Sequence, residues 1–107
     1  MRGFQITIFT QQDRRHEGKP LGEWLIQLAK QLGFRGATLL TAAEGFGASG
    51  RIHSAHFFDL ADQPLEVLMT VTEDQAAQLF ERLKTAGLRL FYVKTAVEFG
   101  TIGEPDP

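Results

Sequence analysis

Residues 44–53 read EGFGASGRIH, and Gly45, Gly47 and Gly50 stand in the spacing G-x-G-x-x-G. That spacing marks a dinucleotide phosphate loop when a strand precedes it and a helix follows, because the helix N-terminal amides hold the pyrophosphate. A strand is present in GATLLTAA (36–43), but the helix is missing: RIHSAHFFDL (51–60) carries Ile52, Phe57 and Phe58 without helical periodicity. The segment is therefore a strand–loop–strand connection, not a Rossmann crossover. As a hairpin, its glycines serve positive φ angles. As a loop longer than a tight hairpin needs, it also reads as an arm that orders around a ligand or partner.

The pattern extends outward from that loop in both directions. Phe4, Ile6 and Ile8 alternate with Gln5 and Thr7, a half-buried strand over 4–9. TQQDRRHEGK (10–19) is a charged loop, and Pro20 opens a helix with Leu21, Trp24, Leu25, Leu28, Ala29 and Leu32 on one side and Gly33 as its stop. SAHFFDL (54–60) and LEVLMTVT (65–72) read as strands separated by a turn at Pro64. A second helix begins at Thr72 or Glu73, places Ala76, Leu79, Phe80 and Leu83 together, and ends at Gly87. A last strand covers 88–99, before a polar tail over 100–107. This order predicts one α+β domain over 1–99, a ferredoxin-like βαββαβ two-layer sandwich with both helices on one face of an antiparallel sheet.

Two helices cover one sheet face only. The other is expected to carry Phe9, Leu40, Phe58, Leu60, Leu68, Phe91 and Val93, a surplus of apolar groups for an open surface. A face of this kind predicts a homo-oligomer.

Composition narrows the function classes. The 107 residues include no cysteine, which removes disulfides, thiolate metal sites and a Cys nucleophile. A formal net charge of −2 and the lack of an RNP-type K/R-G-F-G-F-V motif argue against nucleic acid. No run of ~18 apolar residues exists to insert in a membrane, and the first residues alternate as a strand does, so a cytoplasmic protein is expected.

The segments GKPL (18–21), GATLLTAAEGFGASGRIH (36–53) and PLEVLMTV (64–71) resemble the PII-like signalling proteins, in particular the small bacterial branch known only as a domain of unknown function (DUF190-type). The resemblance runs from about residue 4 to residue 99. It implies a PII-like homotrimer that binds a small effector, an adenine nucleotide being the candidate, in clefts between subunits. A membrane transporter or an enzyme is the implied partner. It also implies a regulatory protein with no catalytic residue and no bound cofactor or metal. Two phosphate-handling elements of PII proteins have no counterpart: KTAGLRLFYV (84–93) leaves no room for a phosphate loop, and no basic residue follows Lys94.

On this reading the ligand-contacting set is Glu44, Gly45, Phe46, Gly47, Arg51 and His53 in the arm. Gly45 and Gly47 let the backbone approach the ligand, Arg51 and His53 meet its polar groups, and Lys19 or Arg35 neutralises an anion. Each has a plainer alternative, such as a solvated turn histidine for His53 and a solvated charged loop around Arg14, Arg15, His16 and Lys19. His53 and His56, three apart, face opposite ways in a strand and cannot chelate one ion. Neither serine, Ser49 or Ser54, sits in a nucleophile elbow. The competing architecture is a dimeric α+β-barrel enzyme with His56, Phe58 and Phe91 lining a pocket; a structural subunit without ligand is a third.

Overall fold

The computed structural model describes residues 1–41, 44–46, 52–54 and 63–104. In chain order the elements are β1 (Arg2–Gln11), β2 (Arg15–His16), β3 (Lys19–Pro20), α1 (Leu21–Gln31), β4 (Thr38–Thr41), β5 (Glu44–Phe46), β6 (Ile52–Ser54), β7 (Pro64–Thr72), α2 (Glu73–Thr85) and β8 (Phe91–Glu98). The main sheet has the order β4-β7-β1-β8, antiparallel throughout. This is the ferredoxin-like sandwich expected from the pattern. SAHFFDL, read as a strand, lies largely outside the described residues.

Alternation in β1 and β7 builds the core. Ile6, Ile8, Val67 and Val71 are all 0% exposed and point towards the helices. They meet Leu21, Leu25, Leu28 and Ala29 of α1 and Ala76, Leu79 and Leu83 of α2, spaced three and four residues apart as one helical face requires. Gly22 allows α1 to lie close to β4: a Cβ there would stand 3.1 Å from Leu39 Cδ1.

Both helices end in the same way. Gly33 (φ 76°) follows α1; its N–H donates to Lys30 O and the Phe34 N–H to Ala29 O. Gly87 (φ 71°) repeats this after α2, with the Leu88 N–H donating to Leu83 O. These are the paired bonds of a Schellman termination, where glycine accepts the left-handed conformation without steric cost. The start of α2 is a complete capping box: Thr72 Oγ1 accepts from Gln75 N–H while the Thr72 N–H donates to Gln75 Oε1.

Several boundaries differ from the sequence reading, β1 starting at Arg2 and β4 at Thr38 among them. The first strand continues to Gln11, because its N–H and C=O groups go on pairing as far as Pro64. The last begins at Phe91, not Leu88, since Leu88 is taken up in the helix termination. The charged segment before α1 is a small hairpin, β2 against β3, not an open loop.

Candidate functional site

The register fixes which residues face away from the helices. Phe9 opposes Phe91, Thr7 opposes Val93, Gln5 opposes both Thr70 and Thr95, and Thr38 opposes Leu68. All lie on the outer face. Of the apolar set anticipated there, Phe9, Leu40, Leu68, Phe91 and Val93 are so placed; Phe58 and Leu60 fall outside the described residues. The face is divided along its length. Where β1 ends and β7 begins it is aromatic and aliphatic, with Phe9 and Phe91 in edge-to-face contact at 5.4 Å and Leu40 beside Glu66. At the other end it becomes polar, with Gln5, Thr38, Thr70 and Thr95.

The strand β8, like β4 at the other edge, is open along nearly all its length. Among the described residues it pairs with β1 on one side only. Phe91 is 64% exposed, Tyr92 48% and Val93 44%, so outer-facing and helix-facing residues alike are open. On the helix side Tyr92 reaches Phe80 at 4.7 Å, and the Lys94 ammonium lies 4.4 Å from the centre of the Phe4 ring. Those contacts use exposed side chains and leave the free edge of β8 unpaired among the described residues.

At the polar end of the outer face lies an open concavity of about 610 Å³. Gln5, Thr38 and Thr70 contribute polar groups, Leu68 and Phe99 apolar surface, and Gly36, Gly100 and Thr101 line it as well. Arg35 stands at its rim, where Nη1 donates to Thr101 Oγ1 at 2.9 Å. This bond ties the segment after α1 to the segment after β8. The Phe99 N–H donates to Met1 O and continues the β1–β8 ladder, so Thr101 is held near the sheet end.

The sequence-derived candidates fall into separate places within one protomer. Glu44, Gly45 and Phe46 form β5, paired with β6 in the register Glu44–Ser54, Gly45–His53 and Phe46–Ile52. The glycine-rich segment is thus bounded by a hairpin, while Gly47 and Arg51 lie outside the described residues. This hairpin leaves the end of β4 at which Thr41 opposes Leu65, the apolar end of the sheet. Arg35 belongs to the opposite end. Lys19 precedes α1 whereas Arg35 follows it, and the helix between them spans on the order of 16 Å. One small ligand cannot touch Lys19 and Arg35 of the same protomer.

The hairpin carrying Lys19 is occupied with internal contacts. Arg14 donates from Nη2 to Arg89 O at 2.6 Å, and Arg15 to Gly18 O. Trp24 Nε1 donates to Glu17 Oε2 at 3.2 Å, and its ring meets His16 at 4.6 Å. Glu17 holds φ 53°, a left-handed conformation in a residue with a Cβ. Leu21 N–H, one of the free donors of the α1 start, is satisfied by Arg14 O. Arg15 is thereby engaged in holding the turn, and Arg14 in tying it to the segment before β8. Among the described residues no group of three acidic or histidine side chains is placed to hold a metal ion, and no helix is long and apolar enough to cross a membrane.

Thr38 and Thr70 fall within the segments 36–53 and 64–71 that carry the resemblance, but nothing in the sequence singles them, or Gln5, Phe99 and Thr101, out as site residues. The one available signal is parity: polar residues at alternate strand positions that should face outward beside apolar ones.

Comparison with known proteins agrees with the architecture. Residues 3–98 match the family DUF190, uncharacterized ACR. A UPF0166 protein of Aquifex aeolicus (strain VF5) is 32% identical over 80 residues, which cover 74% of this chain and 76% of that protein. The crystal structure of a PII-like signaling protein of Thermus thermophilus (TTHA0516) superposes with a TM-score of 0.69 at 20% identity, over 91% of this chain and 88% of that one. CPII, a nitrogen regulatory PII-like protein of Thiomonas intermedia K12 bound to ADP, AMP and bicarbonate, gives 0.69 at 16% identity, over 94% and 91%. At those identities the structures establish a shared fold, and the sequence match establishes kinship: this chain belongs to the DUF190 family.

Proposed function

We propose that this protein is a PII-like regulatory subunit, a homotrimer that binds a small effector between its copies and presents the Glu44–Ser54 hairpin to a partner protein. The observation that carries the reading is the bare outer face, with Phe9, Phe91, Leu40 and Val93 at one end and the Arg35 concavity at the other. Exposed apolar patches of this kind mark interaction surfaces. The scattered site residues support the same conclusion. The arm and Arg35 lie at opposite ends of β4 in one protomer, so only packing between copies brings an arm over a concavity.

In that cleft Arg35 receives the anionic group, while Gly45 and Gly47 allow the arm to approach the ligand. Glu44, Phe46, Arg51 and His53 supply side chains from the arm, and Lys19, at the same end of its protomer, adds a second cation where the neighbouring copy reaches. An adenine nucleotide is the first candidate, since CPII is described with ADP and AMP. No catalytic step is assigned. A membrane transporter or an enzyme is the class of partner, and the cytoplasm its place of action.

Sedimentation or light scattering tests the assembly. A mass of three times the 11.9 kDa protomer is expected. A dimer would favour the barrel architecture, and a stable monomer at micromolar concentration would remove the reading. A thermal-shift screen with nucleotides tests the ligand, because anything that binds only the folded state raises its melting temperature.

A further inference from the structure

We infer that Glu66 of one copy forms an ion pair with Arg35 of the next, so that the copies meet with the arm end of one sheet over the Arg35 end of its neighbour. This rests on the trimer reading above and adds to it the contact that orients the copies and completes the Arg35 concavity.

Glu66 is at odds with its surroundings. On β7 it opposes Phe9 of β1 on one side and Leu40 of β4 on the other, in the apolar part of the outer face. Both neighbours are exposed apolar side chains, and Glu66 is half-buried between them. Every other outward position on the four strands of the main sheet holds a neutral residue. Lys94 is turned to the helix side, over Phe4 and Phe80. Among the described residues no cation pairs with Glu66. Water serves its carboxylate while the face is bare. A second copy that covers Phe9 and Leu40 removes that water, and a charge buried without a partner is strongly unfavourable. Covering this face therefore calls for a cation from the covering copy.

Arg35 is the matching group. Among the described residues that line the concavity it is the one cation, and there is no acid. Its guanidinium has five N–H donors, of which Nη1 supplies one to Thr101 Oγ1. A carboxylate takes two more in a bidentate contact, which leaves donors for the anionic group of an effector. The two residues do not meet in one protomer: Glu66 lies level with Leu40, near the arm, whereas Arg35 precedes β4 at the other end of the sheet.

The pair also selects the direction of docking. Like ends together would set Glu66 beside Glu66 and Arg35 beside Arg35, and like charges across an interface are unfavourable. Opposite ends together join unlike charges, and a head-to-tail contact repeated with the right rotation closes into a ring. The same packing carries the arm to the neighbour's concavity, because the arm leaves the sheet at Thr41, next to Leu40.

Charge reversal tests the pair, with the full chain in sedimentation velocity across a dilution series. Glu66→Arg and Arg35→Glu should each raise the concentration at which the assembly half-dissociates by at least about tenfold, the scale of one close charge pair. Combined, the two reversals should return it to within about threefold of the original chain. Circular dichroism verifies the fold of each variant. If a reversed chain fails to fold, Glu66→Gln and Arg35→Gln replace the reversals. Together these neutral variants should lose no more than the larger single loss, since removing either partner already breaks the contact. Single reversals without effect, a combined reversal as dissociated as the single ones, or neutral losses that add would each overturn the inference and leave the trimer standing. A mass of one protomer for the original chain removes the trimer reading and the inference together. A dimer that the combined reversal restores keeps the pair and removes the trimer.

Discussion

The strands β7 and β8 flank β1 on its two sides and are similar in length and apolar content, yet they live in different environments. Leu65, Val67, Met69 and Val71 of β7 are buried under both helices. In β8, Phe91, Tyr92 and Val93 remain exposed, beside an edge left unpaired among the described residues. The two helices pack chiefly on β1 and β7, and α2 reaches β8 through Phe80, which meets Tyr92 and Lys94. Hydrophobic content alone therefore does not tell whether a strand is held by its own protomer. Its position in the sheet order does, and β8 has more apolar surface than its own chain can cover.

Substitutions can break this contrast, from large effects to small. Leu79→Ala, on the covered side, should cost about 3 kcal/mol of unfolding free energy, read from denaturant melts, because it leaves a cavity between α2 and the sheet. Gly3→Ala should come close behind at roughly 2–3 kcal/mol, since its Cβ would stand 1.9 Å from Val71 O and the β1–β7 pair would have to move apart. Thr72→Ala removes the acceptor of the capping box and should cost about 1 kcal/mol, with Gln75→Ala giving a similar, non-additive loss. Phe91→Lys should change protomer stability by less than about 0.5 kcal/mol, as an exposed position predicts. The same variant should shift the sedimenting species to a protomer. If Phe91→Lys instead destabilised the fold as much as Leu79→Ala, the distinction between the two strands would be lost.

Much of the fold was legible in the sequence because its signals are local. Helical spacing, Gly33 and Gly87 as stops, and the alternation in 4–9 and 65–72 each rest on interactions within a few residues. The lack of helical periodicity in the sequence after residues 44–53 argued against a parallel topology, and the sheet is antiparallel. The β2–β3 hairpin was hidden because charge made 10–19 resemble an open loop, whereas Arg15 bonds the turn at Gly18 O, Glu17 accepts from Trp24 of α1 and Arg14 donates to Arg89 O. The concavity was hidden for a different reason. Gln5, Thr70, Phe99 and Thr101 come from three separated segments, and only strand register brings them together. Arg35 was visible as a cation; its tether to Thr101, 66 residues away, was not.

Thr72 is at once the final residue of β7 and the cap of α2, with no linker between them. Strand pleat and helix phase are thus geared together. Inserting one residue there would either reverse the strand's sidedness or rotate the helix by about 100°. Length variation in relatives of this chain should accordingly collect in the 47–51 segment and avoid the 72–73 seam, where an indel would turn Leu79 and Leu83 away from the interior.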